Sequence, residues 1–133
     1  MPFLNLKLPG ALSRQQTENI AQTVTKLTTD LLGKNSAVTA VVVEPIPADC
    51  WFVGGTPLNE TGRTSFNLDI KITAGTNTKQ QKATYINNIF SALEKALGRL
   101  DQASYIVIHE IGADSWGYEG VTQEYRFSSA SSL

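Results

Sequence analysis

The chain carries one order of signals twice. Gly10 and Gly75, Ser13 and Thr78, and Gly33 and Gly98 are each separated by the same 65 positions. Around them the same supersecondary unit is read in both halves, as expected of an internal repeat. The first unit opens with a strand pattern, Phe3 to Leu8. Pro9 and Gly10 then turn the chain, and Ser13 with Gln16 forms a capping box, in which the two side chains satisfy each other's backbone N–H groups. Ile20, Val24, Leu27 and Leu31 follow at helical spacing. Gly33 stops that helix, and a strand is predicted from Val38 to Glu44.

The second unit repeats the order. Its strand is Phe66 to Ile72, alternating strictly, and Gly75 turns the chain. Thr78 and Gln81 cap a helix whose stripe is Ile86, Ile89, Phe90, Leu93 and Leu97, and Gly98 ends it. A strand from Ser104 to His109 closes the unit. Each unit is β-α-β, so its two strands are expected parallel with a right-handed crossover. The predicted fold class is α+β: one four-stranded sheet with two helices on one face, in a single domain. The units span residues 2–64 and 65–127, and the Ser-rich stretch 128–133 is expected to fray. Phe66, Leu68, Ile70 and Ile72 should face the helices. Asn67, Asp69 and Lys71 should face away, on a bare surface that closure into an oligomer would cover.

Composition excludes several classes. Eleven Lys and Arg against twelve Asp and Glu give a net charge of -1, with no basic block, so nucleic acid is not an expected partner. No apolar run approaches a membrane span, and the N-terminus lacks the pattern of a signal peptide. Cys50 is the single cysteine, which excludes a disulfide within the chain and suits a reducing, cytoplasmic setting. One histidine, His109, with scattered carboxylates gives no metal-ligand spacing, and no phosphate loop is present. No cofactor is expected. His109, at a strand end beside Glu110, is read as structural.

Pro2 directly follows Met1 and directly precedes the first strand. Removal of Met1 would leave a secondary amine at the start of that strand. Such an amine serves as a general base or nucleophile once its surroundings lower its pKa.

An N-terminal proline on a strand, followed by tandem β-α-β units, resembles the tautomerase superfamily, which includes 4-oxalocrotonate tautomerase and macrophage migration inhibitory factor. Three local matches carry the resemblance further. Trp51-Phe52-Val53-Gly54-Gly55 is similar to the turn after that superfamily's second strand. Leu32-Gly33-Lys34 is similar to a helix end of the migration inhibitory factor group. Tyr105-Ile106, continuing to Trp116-Gly117-Tyr118, is similar to that group's last strand and C-terminal segment.

The resemblance implies a homotrimer whose sheets form an inner barrel, with a site near each Pro2 at a subunit boundary. It also implies cofactor-free tautomerisation of a small 2-oxo or enol acid, with Pro2 as base. Phe66 falls roughly where the first repeat has Pro2 but carries no free amine, so one site per chain is expected.

By the same resemblance Lys34 lines the pocket as a donor to substrate oxygen. A cation past a helix end also suits the helix dipole, and Arg99 holds the equivalent place after the second helix. Tyr105 matches a tyrosine that lines the pocket from the neighbouring subunit. Trp51, Trp116 and Tyr118 read equally as apolar walls or as interface packing. Lys71 is either an anion-attracting group on the inner sheet face or a solvated one.

Departures from the pattern narrow the chemistry. Thr39 stands where the oxalocrotonate enzymes carry an arginine, and the stretch Lys71 to Thr76 lacks the arginine pair of the dehalogenases and decarboxylases. The dehalogenase glutamate falls near Tyr118, beside Glu119. Decarboxylation or hydration would need cations from elsewhere, such as Arg63 or Arg126. A trimeric binding or signalling protein with residual activity is the remaining alternative.

Overall fold

The computed structural model describes residues 2–131, with side chains as far as Ser128. Its elements are β1 (Phe3–Pro9), α1 (Arg14–Leu32), β2 (Ala40–Ile46), β3 (Phe52–Val53), β4 (Thr56–Pro57), β5 (Asn67–Thr73), α2 (Lys79–Leu97), β6 (Tyr105–Ile111), β7 (Gly117–Tyr118), β8 (Val121–Thr122) and α3 (Gln123–Ser131). The main sheet runs in the order β2-β1-β5-β6. β1 and β2 are parallel, as are β5 and β6, while β1 and β5 are antiparallel. Each β-α-β unit thus contributes a parallel pair, and the two first strands join them at the centre. The chain belongs to the α+β class expected, and no helix among the described residues is long and apolar enough to cross a membrane.

The repeat is not uniform. α1 and α2 start at 14 and 79, and β2 and β6 at 40 and 105, a spacing of 65 in both cases; β1 and β5 start at 3 and 67, a spacing of 64. The extra residue lies in the turn between β5 and α2. It matters because strand side chains alternate faces, so an odd shift would send the second unit's apolar set to the wrong side. With an even shift Leu4, Leu6 and Leu8 of β1 and Leu68, Ile70 and Ile72 of β5 all lie buried beneath the helices. Phe66, just before β5, is buried with them and packs against Phe90 at 6.3 Å between ring centroids. Truncating Phe66 to Ala would cost about 3–5 kcal/mol, the range for a large buried aromatic.

Both capping boxes form. The Ser13 and Thr78 hydroxyls accept from the Gln16 and Gln81 amides at 3.1 Å, and the glutamine side chains accept in return at 2.9 Å. Gly33 ends α1 in the left-handed region, φ 68°, a conformation that a side chain disfavours. The helical stripes are displaced from those predicted. α1 buries Ile20, Val24, Thr28 and Leu32, leaving Leu27 and Leu31 at the margin. α2 buries Tyr85, Ile89 and Leu93, while Ile86 is exposed. The reason is a polar pair inside the core: Thr28 and Tyr85 satisfy each other and so occupy sites that hydrophobicity alone would not assign them.

Strand limits also move. A 3-10 turn at Ser36–Val38 precedes β2, so the strand starts at Ala40 rather than Val38. The stretch expected to fray from Ser128 begins inside α3, which runs to Ser131; its last two residues lie outside the described residues.

Candidate active site

Pro2 is buried at the head of β1, and its carbonyl accepts a hydrogen bond from the Ala40 N–H at 3.3 Å. That bond ties the residue just before β1 to the first residue of β2. Continuing the β1–β5 register one step beyond Phe3 opposite Lys71 brings Pro2 level with Ile72, next to Thr73. Met1, whose removal would free the amine, lies outside the described residues.

Thr73 opens onto a cleft of about 640 Å³, a size suited to a small organic ligand. Three segments line it. The end of α1 supplies Lys34 and Asn35, the β5–α2 turn supplies Thr73 to Thr76, and the C-terminal segment supplies Tyr118, Gln123 and Arg126 among others. Lys34 Nζ donates to Thr76 Oγ1 at 2.9 Å, and the Thr76 hydroxyl donates to the Thr73 carbonyl at 2.6 Å. The last α1 carbonyl does not depend on Lys34: Asn77 Nδ2 donates to Leu32 O at 2.9 Å. Burial lowers the Lys34 pKa from the ordinary lysine value, since a low-dielectric setting disfavours the ammonium. A half-buried cation held by a single hydroxyl is well placed to donate to an anion.

Trp116 precedes the β7–β8 hairpin and does not line the cleft, whereas Tyr118 belongs to β7. The Trp116 indole N–H donates to Thr73 Oγ1 at 3.2 Å, which ties the hairpin to the end of β5. Gly117 lets the hairpin close, because a Cβ there would collide with the Val121 carbonyl oxygen. Tyr118 lines the cleft, and the Arg126 guanidinium lies 3.7 Å from its ring centroid.

Two expected residues are elsewhere in the protomer. Tyr105 pairs with Asn67, which pairs with Lys7. It therefore stands about five strand residues from Pro2, roughly 16 Å at the usual rise, and is 62% exposed. Trp51 follows β2, whose last residue is level with Pro9, and its carbonyl accepts from Leu58 N–H in the small β3–β4 hairpin. Within one chain neither meets the cleft.

The helix-free sheet face carries its own polar group. His109 Nε2 lies 2.8 Å from Asp69 Oδ1 across the β5–β6 pair, and Lys71 Nζ sits 5.8 Å from the Phe3 ring centroid. His109 is thus engaged with Asp69 on the neighbouring strand.

Sequence patterns did not find Thr73, Thr76 or Gln123, and offered Arg126 only as a substitute cation. Thr76 sits in the turn ahead of a capping box, the one signal that could have marked it. Gln123 and Arg126 belong to α3, and the first unit has only a 3-10 turn, Leu58–Glu60, at the equivalent place 65 positions earlier. The Arg126 Nε and Gln123 Nε2 donors are buried without a hydrogen-bond partner, a state costing about 1–3 kcal/mol per group.

The family model described as "Tautomerase enzyme" matches residues 2–60 and 68–125. Probable tautomerase K2 of Dickeya dadantii (strain 3937) is 34% identical over 61 residues, which are 91% of that protein and 45% of this chain. So a whole relative corresponds to about one β-α-β unit. Among solved structures, the wild-type F6 fused 4-OT, an asymmetric trimer, has a TM-score of 0.80 at 22% identity, covering 93% of this chain and 98% of that one. Pt0534 inactivated by 2-oxo-3-pentynoate has a TM-score of 0.82 at 11% identity, with 93% and 98% covered. Both structures share the fold. The family match spans both repeats and nearly all of the described chain, and on that ground the protein is a member of the tautomerase family.

Proposed function

We propose that the protein is a cofactor-free tautomerase of small 2-oxo or enol acids in which the Pro2 amine, freed of Met1, is the general base. One observation carries this reading: Pro2 is buried at the head of the central strand, beside the end of β5 that opens onto the Lys34 cleft. Burial disfavours a charged amine and so favours the neutral nitrogen that this role needs. In the ketonising direction the neutral amine takes the proton of the enol hydroxyl. Lys34 donates to the oxygen on which enolate charge develops. The protonated amine then returns the proton to carbon, so nothing is oxidised or reduced and no water is consumed.

In this reading the protein is a homotrimer. The trimeric state of the fused 4-OT relative supports it, as does the exposure of Tyr105, which a neighbouring subunit could bring to the cleft. Trp51 would then pack at a subunit boundary, while Tyr118 walls the site and Trp116 anchors the hairpin that carries it.

The test uses 2-oxo-3-pentynoate, the reagent that inactivated the structural relative. Its alkyne is a conjugate acceptor for a neutral amine. One adduct per chain on the N-terminal peptide beginning at Pro2, formed in step with loss of phenylenolpyruvate ketonisation, is the expected result. Full activity in wholly Met1-retained protein, or labelling elsewhere with Pro2 untouched, would overturn the mechanism.

A further inference from the structure

The family's arginines are missing from the first five strands, yet the cleft holds a second cation besides Lys34, supplied by a different element. α3 is fixed to the hairpin before it: the N–H groups of Gln123, Glu124 and Tyr125 donate to Trp116 O, Ala113 O and Thr122 Oγ1 at 3.0, 2.8 and 3.0 Å. The helix amides are therefore taken, and any anion at this wall must be met by side chains. Arg126 projects from α3 into the cleft wall with its Nη2 donating to the Tyr118 carbonyl at 3.0 Å. Tyr118 stacks beneath the guanidinium and holds its plane. This is the only hydrogen bond of the Arg126 side chain among the described residues, and its Nε is buried without a partner. Gln123 Nε2, three residues earlier on the same helical face and lining the same cleft, is also unpartnered.

The acids close by do not neutralise the site. Glu119 Oε1 is 4.0 Å from Arg126 Nη2 but 83% exposed, and Glu124 is exposed as well, so water screens both. The guanidinium side chain, by contrast, is 29% exposed. A planar fork with idle donors, held by stacking at the wall of a cleft that also contains a lysine, matches the geometry of a carboxylate.

We infer that Arg126, with Gln123, forms a carboxylate subsite on α3, so that the cleft selects acids carrying a second carboxylate over those ending in an apolar group. The inference rests on the proposed use of this cleft for an acid substrate. It makes Arg126 a specificity-determining residue. Lys34 meets one end of the molecule and the α3 pair the other.

The test needs no turnover. trans,trans-Muconate and sorbate share one six-carbon diene, and differ in having a carboxylate or a methyl group at the far end. Calorimetric titration of the processed wild-type protein should give muconate about 10–100-fold the affinity of sorbate, the size of a charge-assisted contact. Arg126→Ala should abolish that preference by weakening muconate alone, with sorbate changed by no more than about threefold, the scatter of contacts not made. Arg126→Lys should keep part of the preference, because charge remains and the fork does not. Equal affinity for the two acids in wild type, equal weakening of both in Arg126→Ala, or no change at all would each overturn the subsite. A muconate preference without any turnover would sink the catalytic reading and keep the subsite. Turnover of phenylenolpyruvate without the preference would do the reverse.

Discussion

The Tyr85 hydroxyl meets the Thr28 hydroxyl at 2.8 Å between α2 and α1, with both side chains wholly buried. Thr28 Oγ1 donates its only hydrogen to the Val24 carbonyl at 2.7 Å, which leaves Tyr85 as donor to Thr28. The pair is closed, and its two members are not equivalent. Tyr85→Phe removes a donor and leaves Thr28 still satisfied by Val24, so it should cost about 0.5–1.5 kcal/mol. Thr28→Val strands the Tyr85 hydroxyl in the core and should cost about 1–3 kcal/mol. The double variant should then be more stable than Thr28→Val alone. Urea unfolding of the three variants checks this order, and a double variant whose loss is the simple sum would contradict it.

The same pair sets a pH limit. Burial pushes the Tyr85 pKa up from 10.0 to about 12, against a smaller opposing effect of the Thr28 hydrogen bond. The folded state therefore keeps its proton where the unfolded chain has lost it. The stabilisation is complete below pH 10, the unfolded value, and is lost as pH rises through about 12. The wild type should lose about 2–3 kcal/mol across that window from this group, and Tyr85→Phe should not show this loss. Lys34 acts in the opposite sense, since a lowered lysine pKa makes stability rise with pH toward 10.5. The Tyr85 effect is therefore read from the difference between variant and wild type, where Lys34 cancels.

Legibility in the sequence followed periodicity. The capping boxes, Gly33 and the alternation of β5 could be read because each is a local signal with a fixed spacing. Thr28 and Tyr85 could not, because a hydroxyl on a helical face reads as surface until its partner, 57 residues away, is known. The one-residue difference between strand and helix spacings was hidden for a related reason: the glycine and capping positions all lie after the extra residue, so they keep the spacing of 65. Pro2 and Lys34 stood out as chemistry at chain and helix ends. The opposite wall comes from β7, β8 and α3. β7 and β8 repeat β3 and β4 at the same spacing of 65, but α3 runs on to Ser131 where the first unit has only the 3-10 turn Leu58–Glu60, so the repeat does not mark Gln123 or Arg126.

The helix-free sheet face predicts association. Phe3, Val42, Tyr105 and Val107 are exposed there on β1, β2 and β6, and the outer edges of β2 and β6 have no strand partner in the main sheet. Val107→Glu places a charge where three faces would meet, and an unpaired buried charge is costly. Sedimentation should register wild-type trimer and a variant shifted toward monomer at micromolar concentration. If Tyr105 completes a neighbour's site, activity should fall with the trimer fraction. A Val107→Glu protein that is trimeric and fully active would count against both statements.

Lys34 and Arg99 offer the sharpest contrast between catalysis and helix-end electrostatics, because they occupy equivalent positions in the repeat and differ in surroundings. Lys34 is half-buried, bonded to Thr76 and turned into the cleft; Arg99 is exposed and contributes its carbonyl to Thr64 N–H. Lys34→Ala should lower kcat/KM by about 1.5–3 kcal/mol of transition-state binding, the worth of a hydrogen bond from a charged donor. Arg99→Ala should change it by less than about 0.5 kcal/mol, as for a surface substitution. The pH profile adds a second reading. Because burial lowers the Lys34 pKa, the ammonium is lost below the ordinary value of 10.5, so kcat/KM should fall on an alkaline limb that begins earlier than for a free lysine. Lys34→Arg keeps its charge throughout that range and should move the limb upward even where its overall rate is lower. Equal losses from the two alanine variants, with an unmoved alkaline limb in Lys34→Arg, would return Lys34 to a helix-end role and leave the enolate without its donor.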